Sequence, residues 1–364
     1  MKIALVGPGI MPIPPPGWGA VEILIWDYYL ELTMQGHQVD IINKIRTSDN
    51  DQSSTETLYS RELIQTINDG NYDFVHIHYD CLYYIIPHLT CPHVAITSHF
   101  PYIDQPDKYG GYDVIFHNIC YNRNHSIFAL SKKDYAVFEN QCVDKSRLFL
   151  LVNGANHNKI VPIDLLDKKQ DSSKSIYIGK IENRKLQRTY CTIPCIDFYG
   201  KCEDMNFAQL SCFCGEKPHD ELMEIMAGYG NLVLLSNGEN GTPLVIKEAL
   251  MAGLPIVTNK YSSNDLDLNL PFIDIIPDDK LNDLEYIEHI IQHNRSKQTL
   301  KDDIRKYAVE HFSWEKLVYD YVLCISSSNS SGSKATFEVS SEEASVPCQS
   351  NITNCFSSSG NCTP

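Results

Sequence analysis

The sequence lacks any uninterrupted apolar run near the roughly 18 residues that a membrane-spanning helix requires, so no spanning segment is expected. It is also short of positive charge. The 30 Lys and Arg stand against 46 Asp and Glu, a formal net charge of −16. Nucleic-acid binders gather cations to release counterions, so a polynucleotide partner is excluded on that balance, and an anionic membrane surface is disfavoured. The 13 cysteines lack the two-plus-two spacing of a zinc site, the nearest pairs being Cys191/Cys195 and Cys212/Cys214. Cys212 and Cys214 read instead as buried thiols on one face of a strand from Leu210 to Cys214. A soluble protein in a reducing, cytoplasmic setting is expected. The apolar opening from Met1 to Gly7 is too short for a secretory core and reads as a buried first strand.

A chain of 364 residues exceeds what one core usually supports, which implies two domains. Short apolar strands alternate with amphipathic helices, the pattern of parallel sheets covered on both faces, and they do so twice. The expected organisation is a Rossmann-like domain over residues 1–155, a polar linker over 156–174 and a second Rossmann-like domain over 175–312. A final helix over 313–325 follows, and then a Ser-rich tail, 326–364, whose composition cannot bury a core. The triplet Asn351-Ile352-Thr353 has the form of a glycosylation site, but such triplets arise readily in Ser/Thr-rich tails.

The candidate chemistry lies where strands end. After the first strand, a dinucleotide fingerprint would need its third glycine near Pro12, so nicotinamide binding is not expected. Gly17 and Gly19 close a proline-stiffened loop at a helix start, either as a backbone approach for an anionic ligand or as an ordinary strand-to-helix turn. His76 and His78 share a strand face, yet no third ligand at useful spacing supports a metal. His99 ends another apolar strand. In the second half, Gly179-Lys180-Ile181-Glu182-Asn183-Arg184-Lys185-Leu186-Gln187-Arg188 gathers four cations, either a diphosphate clamp or a solvated basic face. Further on, Glu239-Asn240-Gly241-Thr242-Pro243-Leu244-Val245 opens a helix with Thr242 as the expected N-cap. The free amides of Leu244 and Val245 can face an anion, and Glu248, one turn along, can accept hydrogen bonds from a ribose diol.

These segments resemble glycosyltransferase family 4, retaining and metal-independent nucleotide-sugar transferases of the GT-B fold, over roughly residues 1–325. The resemblance is carried by Gly17 to Glu22, by Gly179-Lys180 with Lys185, by the run from Glu248 to Pro255, and by Phe312-Ser313-Trp314-Glu315. Details of wording look closest to transferases of large DNA viruses. The resemblance implies two Rossmann-like domains facing each other across a cleft and transfer of a sugar from a UDP or GDP donor to a glycan-type acceptor hydroxyl. It implies that Lys180 and Lys185 hold the diphosphate, that Glu248 binds the ribose, that Gly17, Gly19, Gly241, Leu244 and Val245 line the donor site, and that His99 orients the sugar. No cofactor or metal is expected. The family's first glutamate falls on Asn240 here, with Glu239 adjacent, so a one-residue bulge would be needed to bring a carboxylate to the sugar. A non-catalytic binding module, or an epimerase or phosphorylase on the same fold, are the alternatives.

Overall fold

A computed structural model describes residues 1–17, 19–47, 54–108, 111–122, 124–141, 143–160, 172–239 and 241–329. Its first half runs β1 (Lys2–Val6), α1 (Ala20–Met34), β2 (Gln38–Ile42), α2 (Leu58–Asp69), β3 (Phe74–Ile77), β4 (Val94–Ile96), α3 (Tyr112–Tyr121), β5 (Ser126–Ala129), α4 (Lys132–Asn140) and β6 (Leu148–Leu150). The second half runs β7 (Ser175–Ile178), α5 (Gln187–Tyr190), β8 (Ile196–Tyr199), α6 (His219–Met226), β9 (Asn231–Leu234), α7 (Leu244–Met251), β10 (Ile256–Asn259), β11 (Ile273–Ile276), α8 (Leu284–Arg295), α9 (Lys301–Phe312) and α10 (Trp314–Asn329).

Both sheets are wholly parallel, and their central strands, such as β1, β3 and β9, are mostly apolar and buried because helices cover both faces. The orders are β2-β1-β3-β4-β5-β6 and β11-β10-β9-β7-β8. Each reverses direction beside its first strand, and such a switch point opens a crevice at the carboxyl ends of the strands. Register keeps those ends level: Val6 lies opposite both Ile42 and Ile77. The loops that follow β1 and β3 therefore emerge together, as do those after β7 and β9.

The sequence expectations need four corrections. The expected strand over Leu210–Cys214 is absent; Phe198 makes a single bridge there, between Cys212 and Cys214, because a 3-10 turn at Phe207–Gln209 runs straight into a second turn. Cys212 and Cys214, expected as buried thiols, are half-buried free thiols because no strand forms there to bury them, and the burial they have still raises both above the usual thiol range. The helix expected from Lys297 begins as a 3-10 turn and becomes α-helical at Lys301. Finally, α10 carries on to Asn329 rather than ending at 325, since no residue in that stretch breaks it and the Ser326 hydroxyl bonds back to the Val322 carbonyl, 2.9 Å. The rest of the expected tail, 330–364, lies outside the described residues, as do Trp18 and Asn240. Among the described residues, no helix is long and apolar enough to cross a membrane.

The last helix belongs to the first sheet by packing. Trp314, Leu317, Val318, Tyr321 and Ile325 are buried against Ile3, Leu5, Leu24, Tyr28 and Phe74. Trp314 stacks edge-on to Tyr28 at 4.5 Å, and its indole N–H donates to Asp27 Oδ2 at 3.2 Å. Truncating it removes a large buried ring and leaves a buried carboxylate without that donor. Trp314→Ala is expected to cost about 3–5 kcal/mol of stability in urea unfolding; a loss under about 1 kcal/mol would contradict this packing.

Candidate active site

The two carboxyl-terminal edges face one another across a cavity of about 490 Å³. The first sheet contributes Gly17, Gly19 and the start of α1 after β1, His99 after β4, and Asn153. The second contributes Gly179, Lys180, Arg184 and Lys185 after β7, Glu239 after β9, and the first turn of α7. Gly17, Gly19, His99, Lys180, Lys185, Glu239, Leu244, Val245 and Glu248 all line this one cavity, although they are scattered over more than 200 residues of chain. Gly241 does not reach it; the backbone there takes φ +68 and passes close to the Leu130 carbonyl of the first sheet. Asn240 is outside the described residues.

Lys185 sits in a 3-10 turn, Asn183–Lys185, that doubles back over the end of β7. The turn is pinned from beneath. The buried Tyr177 hydroxyl meets the Lys185 carbonyl at 2.5 Å and the Leu235 carbonyl at 2.6 Å, linking the loops that follow β7 and β9. The Lys185 side chain then lies along Gly179, whose absent Cβ would come within 3.2 Å of Nζ. A side chain there would push the lysine aside by a few tenths of an ångström. Lys180 borders the cavity from the other side, with Glu203 3.9 Å from its ammonium.

At α7 the expected cap is displaced by one residue. Pro243 is the N-cap, while Thr242 exchanges two hydrogen bonds with Asp265, N to Oδ2 at 3.1 Å and Oγ1 from N at 3.0 Å. Proline has no N–H to offer and Ile246 N is bonded to the Pro243 carbonyl at 3.0 Å, so the amides of Leu244 and Val245 open the helix without intrahelical partners, at the cavity wall. Glu248 is buried at 5% exposure, and its Oε1 is 2.6 Å from His219 Nε2.

Glu239 is likewise enclosed. Burial alone would raise its carboxyl, but Lys185 at 3.4 Å and Arg184 at 2.7 Å outweigh that and hold it below the usual carboxylate range. His99 reaches the cavity from the first sheet beside His78, ring centroids 5.9 Å apart. Its Nε2 is buried without a hydrogen-bond partner, and burial pushes the imidazole down to about 4, so it is neutral at pH 7 and able to donate or accept one hydrogen bond. His76 is bonded to Tyr321 and Thr97 and, like His78, is held neutral by burial. No group of three or more His, Cys, Asp or Glu able to hold a metal occurs among the described residues.

Three contributors escaped sequence reasoning. His219 is 29 positions from Glu248, and only the topology that brings the starts of α6 and α7 together reveals the pair. Arg184 was visible in the basic run, but nothing in the spacing distinguishes its target. Lys247 looks like an ordinary helix lysine; it is 1% exposed and donates to the Asn153 carbonyl at 2.7 Å, joining α7 to the end of the first domain.

Two doubly wound sheets facing each other across a cleft define the GT-B architecture. Solved structures with this arrangement match nearly the whole chain. A sucrose-phosphate synthase from Thermosynechococcus elongatus is 17% identical with a TM-score of 0.67, over 88% of this chain and 97% of that one. Anabaena HepE in complex with UDP-glucose is 14% identical with a TM-score of 0.69, over 90% and 100%. WaaG, a glycosyltransferase involved in lipopolysaccharide biosynthesis, is 14% identical with a TM-score of 0.65, over 89% and 99%. No protein-family model and no curated protein sequence matches the chain.

The His219–Glu248 pair makes a pH prediction. Burial lowers the His219 pKa, but the carboxylates of Glu248 and Asp27 more than reverse this, and the net effect is a rise above 6.5. A raised folded-state value stabilises the fold fully below the unfolded value, and that contribution fades as pH rises through the folded value. The stability advantage of wild type over His219→Gln should therefore shrink between about pH 6 and pH 8 in urea unfolding. An advantage that stays constant or grows with pH would refute the pairing.

Proposed function

We propose that the chain is a family 4-type retaining glycosyltransferase that moves a sugar from a UDP or GDP donor to a hydroxyl of a glycan-type acceptor. The observation that carries this reading is convergence: two lysines, the unpartnered amides of α7, a buried carboxylate one turn along and a neutral histidine from the opposite sheet line a single cavity. Its chemistry suits a nucleoside diphosphate sugar. The Lys185 ammonium and the Leu244 and Val245 amides face the diphosphate, Glu248 accepts from the ribose diol, and His99 hydrogen-bonds the sugar. Complexes of a structural neighbour with UDP and with UDP-glucose support a uridine donor.

Catalysis then rests on charge placed in advance where the diphosphate departs. As the glycosidic bond lengthens, negative charge grows on the leaving phosphate oxygen, beside Lys185, Lys180 and the α7 amides. The acceptor hydroxyl approaches from the side of the first sheet, and retention of configuration follows the family resemblance. The proposed reaction uses no metal, so EDTA should leave turnover unchanged. A non-catalytic binding module would bind nucleotide but release none from a nucleotide sugar in the presence of acceptor glycans.

Binding separates the two proposed contacts. Lys185→Ala should weaken the nucleoside diphosphate by about 10- to 150-fold while leaving the bare nucleoside unaffected. Glu248→Ala should weaken both, since its partner is the ribose. Calorimetry with uridine, guanosine and their diphosphates checks this, and equal diphosphate affinity in wild type and Lys185→Ala would remove Lys185 from the site.

A further inference from the structure

The turn that carries Lys185 holds a second cation to which the proposed chemistry gives no task. Arg184 is three-quarters covered and points away from solvent into the loop after β9. Its Nη1 donates to the Gly238 carbonyl at 2.6 Å and lies 2.7 Å from Glu239 Oε2, while Nη2 donates to Glu182 Oε1 at 2.6 Å. Its own carbonyl accepts from the Asn237 N–H at 2.9 Å. One residue thus holds the backbone and the carboxylate of the Glu239 loop together. Tyr102 of the first sheet presses on the same loop, at Gly238, where an added Cβ would come within 2.4 Å of the ring.

The other Glu239 oxygen, Oε1, is buried, makes no hydrogen bond and lies 3.4 Å from Lys185 Nζ. The carboxylate therefore sits between two cations, one of which is the residue assigned to the donor diphosphate. Alone with Lys185 it would cancel the charge that must attract phosphate. Shared with a guanidinium that is always protonated and makes a directed contact, the carboxylate is drawn from Lys185. Glu182 on the guanidinium's other side brings the group of four to neutrality, so the sharing, and not a net charge, is what leaves the Lys185 ammonium available.

We infer that Arg184 is a positioning residue. It draws the Glu239 carboxylate off Lys185, so that Lys185 can engage a nucleoside diphosphate. The inference rests on the nucleotide-sugar reading of the cavity. It also explains how a glutamate one position early in the loop is brought to the cavity wall.

The test is calorimetry of UDP and GDP on wild type, Arg184→Ala, Arg184→Lys, Glu239→Gln and the double variant Arg184→Ala/Glu239→Gln, with melting temperatures recorded beside it. Arg184→Ala should bind diphosphate about 10-fold more weakly, because Glu239 then pairs with Lys185 alone. Removing the Glu239 charge in the double variant should bring affinity back to within about 3-fold of wild type, and Arg184→Lys should lie between wild type and Arg184→Ala. A merely structural arginine would give a double variant as weak as Arg184→Ala, and that result overturns the inference, as does an Arg184→Ala protein that binds like wild type. Should Arg184→Ala fail to fold, Glu239→Gln alone decides: tighter diphosphate binding supports the competition and unchanged or weaker binding overturns it. A wild-type protein that binds neither UDP nor GDP removes the nucleotide reading itself, and this inference with it.

Discussion

A lysine ammonium taken out of water needs compensation, and Lys247 finds it between the two halves of the molecule. Its Nζ donates to the Asn153 carbonyl at 2.7 Å, lies 3.8 Å from Asp265 and stands over the Phe312 ring at 5.0 Å. Burial still lowers its pKa, the Asp265 carboxylate offsetting only part of the effect. A charge enclosed in this way fixes what surrounds it, because withdrawing any one partner leaves it uncompensated. The next residue along α7 is Glu248, and the start of the same helix carries the Leu244 and Val245 amides. Through Lys247, those groups are set relative to Asn153 and hence to the edge of the first sheet, where His99 lies. The geometry of the cleft depends on this contact more than on any group inside it.

The composition of the site follows a similar logic. In a chain with a net charge of −16, an anionic ligand of the kind proposed would be repelled by most of the surface. Cations are concentrated at one switch point, and the carboxylates Glu239 and Glu248 beside them are engaged, the first by Arg184 and Lys185 and the second by His219. Neighbouring charges set the pKa directions of Glu239 and His219 against what burial alone would do. The His99 imidazole has no such partner, and there burial prevails.

Much of the fold was legible because parallel strands announce themselves. Ile3 to Val6 and Ser175 to Ile178 are too uniformly apolar for a surface strand, and the helix closed by Gly36 has the left-handed φ of +86 that its stop signal requires. Lys185, Glu248 and His99 could be picked out because each stands at a strand end or one turn into a helix, positions that sequence alone locates. The misses share one cause, which is that spacing along the chain does not report on loops that meet only after folding. The Leu210–Cys214 segment has the alternation of a strand but no partner beyond a single bridge, and Thr242 has the chemistry of a cap but a better partner in Asp265. From sequence, Glu239 needed a one-residue bulge to reach the cavity; in the structure it lines the cavity with Arg184 2.7 Å away.

The attachment of α10 to the first sheet bears on how the protein is made. Ile3, Leu5 and Phe74 are synthesised well before Trp314 and Tyr321, which cover the face they form. At about 5–20 residues per second, the roughly 170 residues between the end of the first domain and the end of that helix take on the order of ten to thirty seconds to synthesise. During that interval an apolar face of the first sheet lacks the helix that covers it. The first domain is complete only as a discontinuous unit, and cutting the chain between the two sheets would leave neither piece with its full core.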